Sequence, residues 1–360
     1  MGQETFVYEF VGKKLTEGSF QWSAPSNIAL VKYWGKREGQ IPANPSLSFT
    51  LTHCKTITRL DFQLKEISGI SFDLFFDGQS KEEFKPKIQK FFERIRPYCP
   101  YIDDYHFVIH THNTFPHSSG IASSASGMAA LAVNLMQLEQ GLNPQMDANY
   151  FNQKASFLAR LGSGSACRSI SGAVVVWGAH SEIAASSDYY GVPFDGALHP
   201  IFQDFQDVIL LVDKGEKKVS STVGHDLMHQ HPFAQQRFEQ APANLSRLKT
   251  ALETGDLEAF IAIVESEALT LHAMMMTSMP YFILMKPQTL QIIEHIWSFR
   301  SQFQIPVCFT LDAGANVHLL FPKAHKTRVM EFVQEVLAPW CQQQHFIADE
   351  MGFGAQKIDL

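Results

Sequence analysis

Residues 116–141 read PHSSGIASSASGMAALAVNLMQLEQG. The first part is small and hydroxyl-bearing, the remainder is apolar, and the run stops at Gly141, as a buried helix does. The stretch therefore predicts a helix whose N-terminus is wrapped in serines and glycines. At such an end several backbone N–H groups point outward and the macrodipole leaves roughly half a positive charge. Small residues let a ligand come close, hydroxyls add donors, and a phosphate fits. No Lys follows in the Walker manner, so this is not a P-loop of the GKS/T kind. Ordinary capping, with small residues allowing close helix packing, accounts for part of the pattern but needs fewer hydroxyls. The segment before it, HFVIHTHNTFP (106–116), reads as a strand that ends in a turn at 113–116.

Working outward, a second cradle is ARLGSGSACRSISGAVVVWG (159–178). Here an arginine, Arg168, sits inside a glycine–serine run just ahead of a continuous apolar strand. A guanidinium fork there could grip a carboxylate or phosphate, or the run could be a turn whose arginine makes a surface ion pair. In APSNIALVKYWGKR (24–37) a strand would put Lys32 and Lys36 on one face, towards one anion, unless it is a solvated edge strand with protective lysines. IPVCFTLDAGANVHLLF (305–321) reads as a hairpin with Asp312 at the end of its first strand, where an Asx turn is the plain alternative. KKVSSTVG (217–224) is a further hydroxyl-rich turn. Two anion cradles, a lysine pair, one arginine and one aspartate together suggest phosphoryl transfer, which needs positioning and charge neutralisation more than covalent help.

The chain has 360 residues, 45% hydrophobic and 18% charged, as a globular protein of two ordinary domains would. A formal net charge of −7 argues against nucleic acid or an anionic membrane as partner, so an anion must meet a local cluster of cations. The five cysteines stand singly, without CxxC or zinc spacing, which reads as reduced thiols in the cytoplasm. The N-terminus lacks a signal-peptide pattern, Phe6 stands where a myristoylation signal needs Ser or Thr, and no apolar run looks long enough to span a membrane. SLSFTLTHCKTITRLDF (46–62) suggests strands, DVILLVD (207–213) another, and residues 1–20 an arm or strand pair. Residues 234–302 are mostly helical, interrupted by TSMPYFILMKP. The polar stretch 181–205 is the expected crossing, giving domains 1–190 and 191–360 in an α+β chain.

PHSSGIASSASG (116–127) resembles the phosphate motif P-x-x-x-G-[LIA]-x-S-S-[AS] of the GHMP kinases, among them galactokinase, homoserine kinase, mevalonate kinase and phosphomevalonate kinase. NIALVKYWGKR, NTFPHSSGIASSASG, ARLGSGSACRSISG, KKVSSTVG and FTLDAGAN also follow the order and rough spacing of the mevalonate diphosphate decarboxylase family, from residue 23 to about 320. The resemblance implies a two-domain GHMP fold, with a ribosomal protein S5 domain 2-like N-terminal half that binds ATP and a ferredoxin-like C-terminal half that supplies Asp312. It implies ATP and Mg2+ as cofactors, a phosphorylated mevalonate as substrate, and a homodimer. The tertiary 3-hydroxyl is phosphorylated, then phosphate and carbon dioxide leave.

Carried over by position, Pro116, Gly120, Ser123, Ser124 and Ala125 would hold the ATP phosphates. Asp312 would take the hydroxyl proton, Lys32 neutralise charge beside it, Arg168 grip the carboxylate and Asn27 orient Arg168. Tyr33, Lys36, Ser163, Gly164, Ser165, Ser220 and Ser221 would bind the 5-phosphate arm, and no residue is assigned as a direct metal ligand. Two departures are Ala315 where the family has Pro, and Asn44-Pro-Ser46 where it has NSS. A third is that KEEFKPKIQKFFERIR (81–96) offers lysines where the family helix has an arginine for the diphosphate, so Lys85, Lys87 or Lys90 is expected to replace it. Rival readings are a mevalonate 5-phosphate decarboxylase, a mevalonate 3-kinase that does not decarboxylate, and a catalytically silent nucleotide-binding regulator.

Overall fold

The structure is a computed structural model that describes residues 2–9, 12, 14–116, 121–215 and 221–360, with backbone only for Ser221 and Thr222. Two long strands organise the first half. β1 (Glu17–Val31) and β2 (Ser46–Leu64), the latter rich in β-branched and aromatic residues, pair antiparallel along nearly their whole length. The strands foreseen over 46–62 are thus one strand. Around them stand β3 (Ser71–Phe76), β4 (Gln79–Ser80), β5 (Tyr105–Asn113), β6 (Val174–Trp177) and β7 (Val192–Pro193). Along the sheet β5 follows β2, then β3 parallel to it and β4, while β6 pairs with the first part of β2 and β7 with β6. The N-terminal arm holds a short 3₁₀ turn, Gln3–Phe6, rather than a strand pair, and Phe6 caps the core. α1 (Lys85–Ile95), α2 (Ser123–Leu142) and α3 (Ala148–Gly162) pack on this sheet.

The second half is a four-stranded antiparallel sheet in the order β11–β8–β10–β9, formed by β8 (Gln206–Leu210), β9 (Cys308–Leu311), β10 (Val317–Phe321) and β11 (Phe346–Glu350). Every residue of β8 is buried, because alternate side chains enter different cores. Val208 and Leu210 pack with α7 (Pro287–Phe303) and α8 (Lys326–Phe332), whereas Ile209 joins the core of the first half. α4 (Ser221–Asp226) is short. α5 (Ala234–Thr254) and α6 (Leu257–Met276) lie between the sheets: Leu245, Leu248 and Phe260 enter the first core and Ala268 the second. That position corrects one expectation. α6 is long and apolar enough by composition to cross a membrane, and it is so apolar because protein encloses it on two sides. The chain leaves the first sheet after β7, enters the second at β8, and returns at its end, where β12 (Gln356–Lys357) pairs with β1.

The return is bolted at one residue. Between the pairs Pro25↔Lys55 and Asn27↔Thr50, β2 has more residues than β1, so it bulges and its amides lose their strand partners. Asp349, on β11, takes them over: Oδ1 accepts from Thr52 N–H (3.0 Å) and His53 N–H (2.9 Å), and Oδ2 from Cys54 N–H (2.7 Å). Replacing Asp349 by Ala strands these donors, and a buried donor without an acceptor costs about 1–3 kcal/mol. We therefore expect Asp349→Ala to lower unfolding free energy by about 3 kcal/mol or more, and Asp349→Asn, which keeps one acceptor, by less. Urea unfolding measures both; an unchanged midpoint for Ala would mean that the bulge finds other partners.

Candidate active site

The site forms where the two sheets end against each other. β1 stops at Val31, and Lys32 places its Nζ 2.9 Å from Asp312 Oδ1, just beyond β9. The lysine side chain is 2% exposed and the aspartate 27%, so the ammonium enters from beneath and the carboxylate faces the opening. His272 of α6 holds the same turn through a 3.1 Å contact from Nε2 to the Asp312 carbonyl. A carbonyl only accepts, so Nε2 carries the proton. Burial pushes the His272 pKa down to about 4, the bond to Asp312 opposes this and the nearby Lys32 charge adds to it.

Arg168 stands on a 3₁₀ turn, Gly164–Ser169, in front of β6. Its Nε donates to Asn27 Oδ1 at 3.3 Å, one Nη donates to Ser46 Oγ, and its guanidinium carbon lies 5.8 Å from the centre of the Trp177 ring. Asn27 is fixed in turn, donating to Ser169 Oγ (2.8 Å) and the Ser165 carbonyl (3.1 Å). Among the described residues Arg168 forms no ion pair. It is a buried cation held by neutral groups. Burial lowers its pKa, and Cys167 and then Asp312 oppose that shift.

The neighbouring glycine is set by close approach. A Cβ on Gly164 would lie 2.9 Å from Tyr33 Oη and 3.0 Å from Trp177. Tyr33 packs against Trp177 and His225, and burial pushes its phenol well above the ordinary value, so it remains an O–H donor at neutral pH. Lys36 departs from expectation. The strand has ended, Gly35 adopts φ +92°, and Lys36 turns to Asp226 at 3.4 Å rather than sharing the direction of Lys32. His225 packs between Tyr33 and Trp34, and its Nδ1 accepts from Gly35 N–H at 3.0 Å. Burial, with the Lys36 and Arg168 charges, pushes its pKa down to about 3.

α2 begins as its sequence suggested. Its N-cap, Ala122, has φ +40°, a left-handed backbone that costs a non-glycine residue on the order of 1–2 kcal/mol. Such strain concentrates where a backbone must present itself to a ligand. Ser123 and Ser124 form the first turn, and Ala125 is buried with its N–H on the Ala122 carbonyl (2.7 Å). Ser126 points inward, with Oγ 2.6 Å from Thr56 Oγ1. Ser124 Oγ donates to Ser163 Oγ at 3.1 Å and accepts from Lys87 Nζ at 2.7 Å. The two serine-rich stretches therefore touch, and a lysine of α1 stands at their junction. Lys85 is instead paired with Glu82 at 2.7 Å, and Lys90 is exposed. Pro116 is exposed just after β5. Gly120 and Ser220 lie outside the described residues, as does the side chain of Ser221, whose backbone starts α4.

Several functional neighbours had no sequence signal of their own. Ser46, His225, Asp226, His272 and the buried pair Glu267–Arg237 are single residues within strands or helices, and only the packing of distant segments brings them here. For Ser46, the hint is its place in Asn44-Pro-Ser46, where the family has NSS.

An S5-like sheet joined to a smaller antiparallel sheet, with a serine-rich helix start facing a lysine, an arginine and an aspartate, defines a GHMP-type phosphoryl-transfer fold. Residues 24–189 match the family model of the diphosphomevalonate decarboxylase-like N-terminal domain, and residues 207–357 that of the mevalonate 5-diphosphate decarboxylase C-terminal domain. A diphosphomevalonate decarboxylase of Ganoderma lucidum is 31% identical, over 93% of this chain and 86% of that relative. A solved mevalonate diphosphate decarboxylase from Staphylococcus aureus superposes with a TM-score of 0.81 at 28% identity, covering 96% of this chain and 99% of that one. A structure described as MDDEF in complex with MVAPP, AMPPCP and magnesium also gives 0.81, at 29% identity over 96% and 100%. The chain belongs to the diphosphomevalonate decarboxylase family.

His225 and His272, whose pKa values burial lowers, make a pH prediction. A free imidazole has a pKa of about 6.5, so below that pH the unfolded chain binds protons that the folded sites refuse. Stability is thus fully present above about pH 6.5 and falls as pH drops towards 4. Urea midpoints at pH 7, 6 and 5 should decline, and His272→Asn should flatten part of the decline. A slope identical to wild type in that variant would remove His272 as its source.

Proposed function

We propose that the protein catalyses the ATP- and magnesium-dependent decarboxylation of mevalonate 5-diphosphate to isopentenyl diphosphate, the reaction of the isoprenoid-forming mevalonate pathway. The observation that supports it most is the gathering of three charges: Asp312, paired with Lys32, is close enough to act electrostatically on the buried Arg168, which forms no ion pair among the described residues. A substrate carboxylate completes that set. The family relatives and the relative structure described with MVAPP, AMPPCP and magnesium support the same reading.

In this proposal Asp312 accepts the proton of the tertiary 3-hydroxyl as its oxygen attacks the γ-phosphorus of ATP, releasing ADP. Lys32 balances charge on Asp312 and on the transferring group. The C3–O bond then breaks and inorganic phosphate leaves. The electron pair of the bond to the carboxyl carbon becomes the new double bond, and carbon dioxide departs. Arg168 offers Nη2 and the second Nη1 proton to that carboxylate, keeping the breaking bond aligned. Nucleotide phosphates meet the start of α2, with Ser123 and Ser124 as side-chain donors. The hydroxyls of Ser123 and Ser124 are hard oxygen donors that would suit magnesium, which when bound neutralises phosphate charge. Tyr33, Lys36 and the Ser163–Ser165 turn receive the 5-phosphate arm, with Lys36 exchanging Asp226 for phosphate. The exchange is feasible because the pair is partly exposed and such pairs are weak.

The deciding assay measures ADP and carbon dioxide separately with wild type and two variants. Asp312→Asn should lose about 10²–10⁴ in turnover, roughly 3–5 kcal/mol of barrier, while still binding ATP. Arg168→Lys keeps the charge without the planar fork and should be severely impaired. Turnover within a few-fold of wild type in both would sink the assigned roles; ADP without carbon dioxide in wild type would make the protein a 3-kinase.

A second measurement addresses the 5-arm. Each added charge-assisted hydrogen bond is worth about 1.5–3 kcal/mol, so a diphosphate site should prefer mevalonate 5-diphosphate to the 5-phosphate by about tenfold or more in kcat/KM. Of the three candidate lysines, Lys87 alone approaches a cradle serine, so Lys87→Ala should erode that preference whereas Lys85→Ala and Lys90→Ala should not. Equal kcat/KM values in wild type would favour a monophosphate decarboxylase.

A further inference from the structure

β1 hands its last ladder position to Val31, opposite Leu47, and Lys32 continues into the interior beyond the sheet. Its backbone N–H and C=O are buried there, and buried backbone groups require partners. Side chains supply them. Glu267 Oε2, on α6, accepts from Lys32 N–H at 2.8 Å. Arg237 Nη2, on α5, donates to the Lys32 carbonyl at 2.8 Å, and Asn44 Nδ2 donates to the same oxygen at 3.0 Å. Glu267 and Arg237 are joined by two bonds of 2.8 and 2.7 Å, and Asn244 donates to Glu267 Oε1 at 2.7 Å. Glu267 is 0% exposed, and the Nε of Arg237 is buried with no partner among the described residues.

Such a pair is a poor way to gain stability. Desolvating two charges offsets most of their attraction, and apolar residues of similar size often serve the fold as well or better. An unsatisfied Nε makes the arrangement poorer still. What the pair does that apolar residues cannot is grip both backbone polar groups of one residue. The same helix grips the opposite side: five residues beyond Glu267, His272 donates to the Asp312 carbonyl at 3.1 Å. Five residues of α-helix rise about 7.5 Å. One rigid element therefore touches the backbones of both Lys32 and Asp312, which come from different sheets.

We infer that the buried Glu267–Arg237 pair is a positioning device for Lys32, and that α6 acts as a spacer setting where the Lys32 ammonium stands relative to the Asp312 carboxylate. Glu267 and Arg237 are positioning residues; neither reaches the opening. The inference rests on the function proposed above for its kinetic readout, but not for its structural one.

The test pairs two variants. Glu267→Met with Arg237→Met removes both charges and fills their volume, so a purely structural pair predicts an unchanged Tm and unchanged turnover. Positioning predicts a Tm held within a few degrees while kcat falls tenfold or more, with KM for ATP and for mevalonate 5-diphosphate within about threefold of wild type. Arg237→Lys, the second variant, keeps the ion pair but has no second arm for the Lys32 carbonyl. It is expected to fold and to show the same split, which covers the case in which the double variant fails to fold. Adding Lys32→Ala to either variant should abolish the further loss, since nothing remains to be positioned. Crystal structures of the variants read the geometry without any assay, and the Lys32 Nζ to Asp312 Oδ1 contact should open beyond 3.5 Å. A folded variant with wild-type kcat, or with that contact intact, overturns the inference. If wild type turns over no mevalonate phosphate, the functional proposal fails while the crystallographic distance still decides this one.

Discussion

A single ion pair, Lys32 to Asp312 at 2.9 Å, is the joint on which this molecule turns. Its members lie 280 positions apart and on different sheets, so the pair exists only when both halves have folded and docked. Much of the architecture serves that docking. α5 and α6 fill the space between the sheets, Asp349 ties the bulge of β2 to β11, and β12 brings the chain end back to β1. Each contact restrains the one remaining freedom, the relative placement of the sheet ends.

The charge pattern around the joint is deliberately incomplete. Glu139 of α2 with Lys154 of α3, and Glu267 with Arg237 behind Lys32, are closed buried pairs. Arg168 is equally buried but held by Asn27, Ser46 and the Trp177 face, neutral groups that orient a cation without discharging it. A buried cation left in that state is costly to the fold and suited to an anionic ligand. The strained N-cap at Ala122 belongs to the same economy: a backbone kept out of its preferred region, next to serines that face the opening.

In the proposed reaction, binding and chemistry are divided between the halves. The first sheet, through α2, the Gly164–Ser169 turn and β1, supplies donors suited to phosphate and carboxylate, whereas the second supplies the carboxylate proposed as the base. Because Asp312 follows β9 directly and its carbonyl is bound by His272, that carboxylate is held by a strand end and a helix at once. A base that must meet one hydroxyl gains from such double support, since small misplacements are costly in rate.

Local chemistry alone settled the parts of this protein whose meaning lies within a few residues. The apolar run of α2 with serines before it, the hairpin that delivers Asp312, and the glycine–serine turn around Arg168 each announce their local structure through composition and spacing, because helix ends and turns are local structures. Three things were beyond that reach. Lys32 and Lys36 look alike on a strand, yet β1 ends between them and the positive φ of Gly35 sends them to different carboxylates. Lys85, Lys87 and Lys90 are equivalent in sequence, and only the placement of α1 near the start of α2 brings Lys87 to Ser124. Glu267 and His272 are scattered polar residues in a mostly apolar helix, and their partners sit at the ends of two strands far away in the chain. Those choices depend on long-range packing, which assembles residues by position in space, and no local pattern encodes that position.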